Sequence, residues 1–275
     1  MNYLKLCYSI SDAIKTRLYD DIIQHGFTGE TMDDPADLKS THDIDKLTAA
    51  IAFSILADHK CNIFIESVNN SVHDNPDFSV YIDPVDGSLN WERGVGDPCV
   101  VIAISATSRI KCLNDLSFAF VYGLRSNDVY YSDLINSYFI SNITKKPVKI
   151  NCIGNHKISN ATAYLRTGYG AAQQQLYHTR ELYSAVRDIR GFDNAAMELC
   201  EISRNAADVM VEARGISDFY NLLAYPILKT AGGYLTDLSG NDIGVQAIEF
   251  ESRYNYIAAN NKQLLSDVIK LVRTE

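Results

Sequence analysis

The sequence predicts an α+β fold built from two sheet-containing lobes, residues 1–147 and 148–275 of the 275. Two observations predict it. Helical periodicity and β-branched, strand-like runs occur in both halves, which calls for layers of helix and sheet around apolar cores. No Gly/Ser-rich linker separates the halves, so the lobes are expected to pack extensively against each other.

In chain order, residues 3–25 read as an amphipathic helix, and the polar, turn-rich stretch 27–42 (FTGETMDDPADLKSTH) as an exposed loop. Residues 43–59 return to helical spacing, with Ile44, Leu47, Ile51 and Ile55 on one face. Strands follow at 61–66 and 79–83. The runs CVVIAIS, LSFAFVYG, DVYYSDL and SYFIS are apolar or alternating and divided only by turns, which is the pattern of an antiparallel sheet. From Val148 the order becomes strand (ATAYL), helix (171–187), helix (193–203), strand (ADVMVEA), helix (219–231), strand (YLTDL), strand (YNYIAA) and helix (262–273).

The formal net charge of -9 disfavours a general nucleic-acid binder, which needs a basic surface. Anionic substrates remain compatible with it if bound cations offset the repulsion locally. No apolar run reaches membrane-spanning length, and the N-terminus carries acids early; the expectation is a cytoplasmic protein without a membrane partner. The six cysteines are scattered with no Cys-x-x-Cys, and the six histidines lack ligand spacing, so a bound metal would have to be held by oxygen.

One segment carries chemistry. Val80–Trp91 (VYIDPVDGSLNW) starts as a strand and ends in two carboxylates around a proline. Asp83 and Asp86 stand at the strand's carboxyl end, and Pro84 fixes the backbone between them. Gly87 permits a tight approach, and Ser88 opens a short helix whose N–H groups face outward. Carboxylates suit hard cations, the Val85 carbonyl is a further oxygen donor, and exposed N–H groups suit phosphate. The plain alternative is an Asp-Pro turn closing a strand.

The longer string D-P-V-D-G-S-L-N-W resembles the signature of the inositol monophosphatase family, D-P-[ILV]-D-G-[ST]-x-N-[FW]. Upstream, NIFIES resembles that family's strand ending in a Glu-Glu pair, with Glu66 at the first position and Ser67 as a departure at the second. STHDIDKL resembles the segment that carries its helix-leading Asp, best matched by Asp45, with Asp43 as the alternate. Downstream, ADVMVEARGISDFYNLLAYPILKTAGGYLTDLSG resembles the second signature. Its metal-ligating Asp falls on Tyr220 counted back from Ala231 and on Asn221 counted forward from Arg214–Gly215; the nearest acid is Asp218, which also reads as a simple helix cap.

The resemblance implies the layered αβαβα sandwich of the sugar phosphatases and Mg²⁺-dependent hydrolysis of a phosphate monoester, with two or three ions for which Mn²⁺ can substitute. It assigns metal binding to Glu66, Asp83, Val85, Asp86 and Asp218, phosphate binding to Gly87 and Ser88, and catalysis to Asp45, Ser88 and Glu66. Glu212 matches an acid that contacts substrate hydroxyls, or is an exposed strand-end acid. Asp193 and Asn194 are candidates for touching a sugar. Arg190 and Arg214 read either as ligands for a second phosphate or as structural ion-pair partners. The implied substrate is inositol monophosphate or a related sugar phosphate, with fructose 1,6-bisphosphate or a 3′-phosphonucleotide as alternatives, and the implied assembly is a homodimer. The departures at Ser67 and around Asp218 leave open a degenerate member that binds phosphosugars without turning them over.

Overall fold

Strands that are apolar on both faces need cover on both faces, and the computed structural model has that arrangement. It describes residues 2–27, 43–154, 157–166 and 171–274, the side chains of Asp43 and Asp45 excepted. Apart from Phe27, the loop expected over 27–42 lies outside the described residues.

A seven-stranded sheet runs in the order β1-β2-β3-β4-β5-β6-β7: Cys61–Ile65, Phe78–Asp86, Cys99–Ser105, Phe118–Gly123, Val129–Ser132, Ser137–Ile140 and Pro147–Ile150. Only β1 and β2 pair in parallel; the rest is an antiparallel meander. The lobe boundary expected after residue 147 falls inside β7, which pairs with β6 in this first sheet. A five-stranded sheet has the order β11-β12-β10-β8-β9: Tyr234–Thr236, Tyr254–Ala259, Val209–Ser217, Thr162–Leu165 and Asp188–Arg190.

The helices α1 (Tyr3–His25) and α2 (Asp43–Leu56) cover one face of the large sheet. Val100, Ile102 and Ile104 of β3 point to them, while Cys99, Val101 and Ala103 point to the opposite face. There α6 (Ala195–Ser203) and α7 (Tyr225–Thr230) fill the central layer. The five-stranded sheet closes that layer from the other side with Met210, Tyr256 and Ala258, and turns Val209, Val211, Ile257 and Ala259 outward to α8 (Lys262–Leu271). The result is the αβαβα sandwich.

On α2 the expected stripe is displaced. Thr48, Ala49, Ala52 and Leu56 are fully buried, and Ile44, Ile51 and Ile55 flank them. Small side chains let the helix approach the sheet closely, and the isoleucines fill the margins. The helix expected over 219–231 is interrupted. A 3₁₀ turn spans Tyr220–Leu222, and α7 begins only at Tyr225 with Pro226 in its first turn. Proline has no N–H to donate, so it is tolerated there and not farther inside a helix. The helix expected over 171–187 is likewise divided, into α4 (Ala172–Thr179) and α5 (Leu182–Ala185), and the chain then runs on into the edge strand β9.

Candidate functional site

The chemistry-bearing segment lies where β2 leaves the large sheet for the central layer. The ladder with β3 is regular from Ser79 to Asp83 and resumes only at Asp86, opposite Cys99. This irregularity turns the chain, and Gly87 completes the turn at φ 85° and ψ 37°, a left-handed conformation that costs an L-residue about 1–2 kcal/mol. The short helix α3 (Ser88–Glu92) follows at once.

Three of the four expected metal-binding carboxylates are almost fully buried: Asp83 at 2 % exposure, Asp86 at 5 % and Asp218 at 3 %. Each has one oxygen held by a backbone N–H, which fixes its orientation. Val85 N donates to Asp83 Oδ1 (3.0 Å), Ala196 N to Asp86 Oδ2 (2.7 Å) and Tyr220 N to Asp218 Oδ1 (2.9 Å). The Asp86 bond crosses from the large sheet to the start of α6. Burial pushes the Asp86 carboxyl up to about 6, against the opposing pull of the Ala196 N–H and Arg166.

Glu66 and Asp218 line a common cavity of about 590 Å³ with Lys46, Ser67 and Tyr220. The Tyr220 phenol is driven up by burial and then by Glu66, Asp218 and Asp83, and the buried Cys99 thiol by burial and then by Asp86 and Asp83 among its neighbours. Asp83 is thus the acid common to both sets of neighbours. Arg253 Nη1 stands 3.3 Å from Asp218 Oδ2. Among the described residues, no three His, Cys, Asp or Glu side chains form a ready-made cage for a metal ion. The donor set nonetheless fits magnesium. It is all oxygen and largely buried, and Mg²⁺ usually takes one or two carboxylates, keeps several waters and completes its shell with substrate phosphate.

Asn194 packs over Gly87. A Cβ built on the glycine would lie 3.6 Å from the Asn194 side chain, whose Nδ2 donates to the Asp97 carbonyl (2.6 Å). Asp193 adopts a positive φ of 57° and accepts from Arg214 Nη2 at 2.7 Å. Glu212, expected to be a strand-end acid open to substrate, is fully buried at 0 % exposure. Arg166 Nη1 donates to it at 3.0 Å and Arg214 Nη2 at 2.7 Å. Burial alone would raise its carboxyl, but the two guanidinium groups hold it below the usual range. Arg214 is therefore an ion-pair partner. Arg190 is exposed and pairs with Asp188 (2.8 Å). The side chain of Asp45 is outside the described residues.

Sequence reasoning missed Arg166 and Glu198. Both are buried, with Arg166 Nη2 2.8 Å from Glu198 Oε2, while Glu198 Oε1 accepts from Phe192 N. The available signal was an acid inside the apolar run AAMELC, since a charge on a buried helix face needs a partner. Ser67 stands out for its backbone, with φ at 62°. Ser67→Gly is expected to relieve this conformation and raise unfolding stability by up to about 1 kcal/mol, read as a shift of the urea midpoint.

A model of the inositol monophosphatase family matches residues 9–275. The fructose-1,6-bisphosphatase/inositol-1-monophosphatase of Archaeoglobus fulgidus is 26 % identical over 226 residues, 79 % of this chain and 78 % of that protein. Inositol monophosphatase 1 of Bos taurus is 25 % identical over 260 residues, covering 87 % and 83 %. Among solved structures, a Pyrococcus horikoshii protein with similarities to inositol-1 monophosphatase superposes with a TM-score of 0.77 at 22 % identity, over 99 % of this chain and 98 % of that one, which shows the shared fold. With a match over nearly its whole length, the chain belongs to the inositol monophosphatase family, whose members are metal-dependent phosphoric monoester hydrolases.

Proposed function

We propose that the protein hydrolyses inositol monophosphate and related sugar phosphates with Mg²⁺, by direct attack of water and without a covalent intermediate. The observation that carries this reading is the end of β2, where buried Asp83 and Asp86 flank a turn that Gly87 completes immediately before α3. The printed names of the archaeal relatives, which pair fructose-1,6-bisphosphatase with inositol-1-monophosphatase, support both substrate classes.

In this reading Glu66, Asp83 and the Val85 carbonyl would hold one ion, and Asp83, Asp86 and Asp218 would hold a second. When bound, Mg²⁺ supplies charge neutralisation at the phosphoryl group and acidifies water. The N–H groups of Gly87 and Ser88 take phosphate oxygens, a role carried over from the family resemblance. The Ser88 hydroxyl, with Asp45, aligns the attacking water and takes its proton. The backbone hydrogen bonds to Asp83, Asp86 and Asp218 support the metal-binding roles, because they hold each carboxylate in one orientation before any ion arrives. Homodimerisation belongs to the same reading by resemblance.

The test is phosphate release from inositol 1-phosphate by the purified full chain. Release is expected with Mg²⁺, abolished by a chelator and restored by added Mg²⁺. Absence of release from every monoester tried, with Mg²⁺ or Mn²⁺, would overturn the catalytic reading in favour of a binding protein.

A further inference from the structure

A helix as short as α3 does not hold itself in place. Its five residues close little more than one turn, and the carbonyls of that turn lack partners within the helix. Val95 N and Gly94 N reach the Asn90 and Trp91 carbonyls from the loop that follows, at 3.0 and 3.1 Å. A further donor comes to both from the turn between β4 and β5. Arg125 Nη2 donates to the carbonyls of Asn90 and Trp91 (3.1 Å each), and Nη1 to that of Gly96 (3.0 Å). The same guanidinium lies over the Trp91 ring, 5.4 Å from its centroid. A cation is favoured at a helix C-terminus, and the planar fork of arginine lets one side chain serve several carbonyls at once.

The opposite end of α3 is held through the same frame. Asn194 packs against Gly87, and its amide donates to the Asp97 carbonyl (2.6 Å). The Asp97 carboxylate in turn accepts from Arg125 N at 2.9 Å and from Ser126 N at 3.1 Å. Asp97 thus joins two grips, one on the turn before α3 and one on its last carbonyls.

Arg125 lies outside the proposed ligand set, yet it acts close to it. Ser88 stands two to three residues from the carbonyls that Arg125 holds, about 3–4.5 Å along the helix axis. A tilt of so short a helix moves the Ser88 hydroxyl relative to Asp83 and Asp86 on the strand before it.

We propose that Arg125 is a positioning residue for hydrolysis: by fixing α3 from its C-terminal end, it keeps the Ser88 hydroxyl aligned with the attacking water. The inference rests on the functional reading above, which gives that hydroxyl its task.

Two measurements on the full chain test it. With Mg²⁺ and inositol 1-phosphate, Arg125→Ala is expected to lower kcat by about 10-fold, short of the roughly 10²-fold that a 1 Å misplacement can cost, because other supports of α3 remain. Arg125→Lys keeps the charge but not the fork, and should recover only part of the loss. In a Ser88→Ala background, Arg125→Ala should change kcat by less than about 2-fold, since residues that act through one group are not additive. The second measurement is amide hydrogen exchange, read by mass spectrometry. Trp91, Arg93, Gly94 and Val95 all donate to backbone carbonyls in and just after α3. Their exchange should quicken by about 10-fold in Arg125→Ala, while β3 and α6 keep the parent rates.

A kcat within about 2-fold of the parent, an equal loss in the Ser88→Ala background, full recovery by lysine, or unchanged exchange over α3 would each overturn the proposal. Faster exchange in Arg125→Ala, in a protein that hydrolyses no ester, would sustain the grip on α3 and refute the catalytic reading. Hydrolysis that Arg125→Ala leaves intact would do the reverse.

Discussion

Asp83→Asn is expected to lower Mg²⁺-dependent phosphate release by at least about 10²-fold while leaving the fold intact. Asn retains the side-chain oxygen that accepts from Val85 N at 3.0 Å, so the turn after β2 keeps its local hydrogen bond. It removes the negative charge that the proposed site uses for both ions. The loss is of the order found when a preorganised electrostatic group is removed from an active site. Phosphate release measures the effect, and circular dichroism and the urea midpoint verify the fold. Activity within a few-fold of the parent would remove Asp83 from the metal site and, with it, the proposed chemistry.

The second large effect is on stability. Arg166→Met is expected to cost about 3–5 kcal/mol, because it removes one partner of a buried ion cluster and leaves charges behind. Arg166 is 4 % exposed, and its guanidinium reaches Glu198 at 2.8 Å and Glu212 at 3.0 Å, both from its buried end. Burial already raises the Glu198 carboxyl against the pull of Arg166, so this acid is strained even with its partner in place. Adding Glu198→Gln to Arg166→Met should recover part of the loss. Gln keeps an acceptor for Phe192 N but carries no charge, and contacting residues of one network are not additive. Urea unfolding of the two variants checks this. A loss below 1 kcal/mol in the single variant would mean that the cluster is not held together by Arg166.

The backbone of the chemistry-bearing segment was legible in the sequence because its parts are consecutive. Strand, proline, glycine and short helix occupy Val80–Trp91, and each residue type constrains its own backbone. The layered architecture was legible for a related reason, since β3 reads as an unbroken apolar run and must be covered on both sides. The position of Asp218 was harder to read. Counting back from Ala231 assumes one continuous helix, whereas Pro226 forces a restart and Tyr220–Leu222 form a separate 3₁₀ turn. The acid and the tyrosine nevertheless lie side by side, both lining the cavity with Glu66. Arg166 could not be found by pattern at all. Its partners come from α6, β10 and the turn at Asp193, and only the tertiary fold makes them neighbours.

The hydrogen bond from Ala196 N to Asp86 has a consequence for how the protein becomes competent. The aspartate belongs to a strand of one sheet, and its donor to a helix that also packs on the other. A chain that had formed only the first sheet would carry the whole D-P-V-D-G-S string and still leave Asp86 without its anchor. During refolding, turnover should therefore return with the last assembly event, later than the recovery of secondary structure.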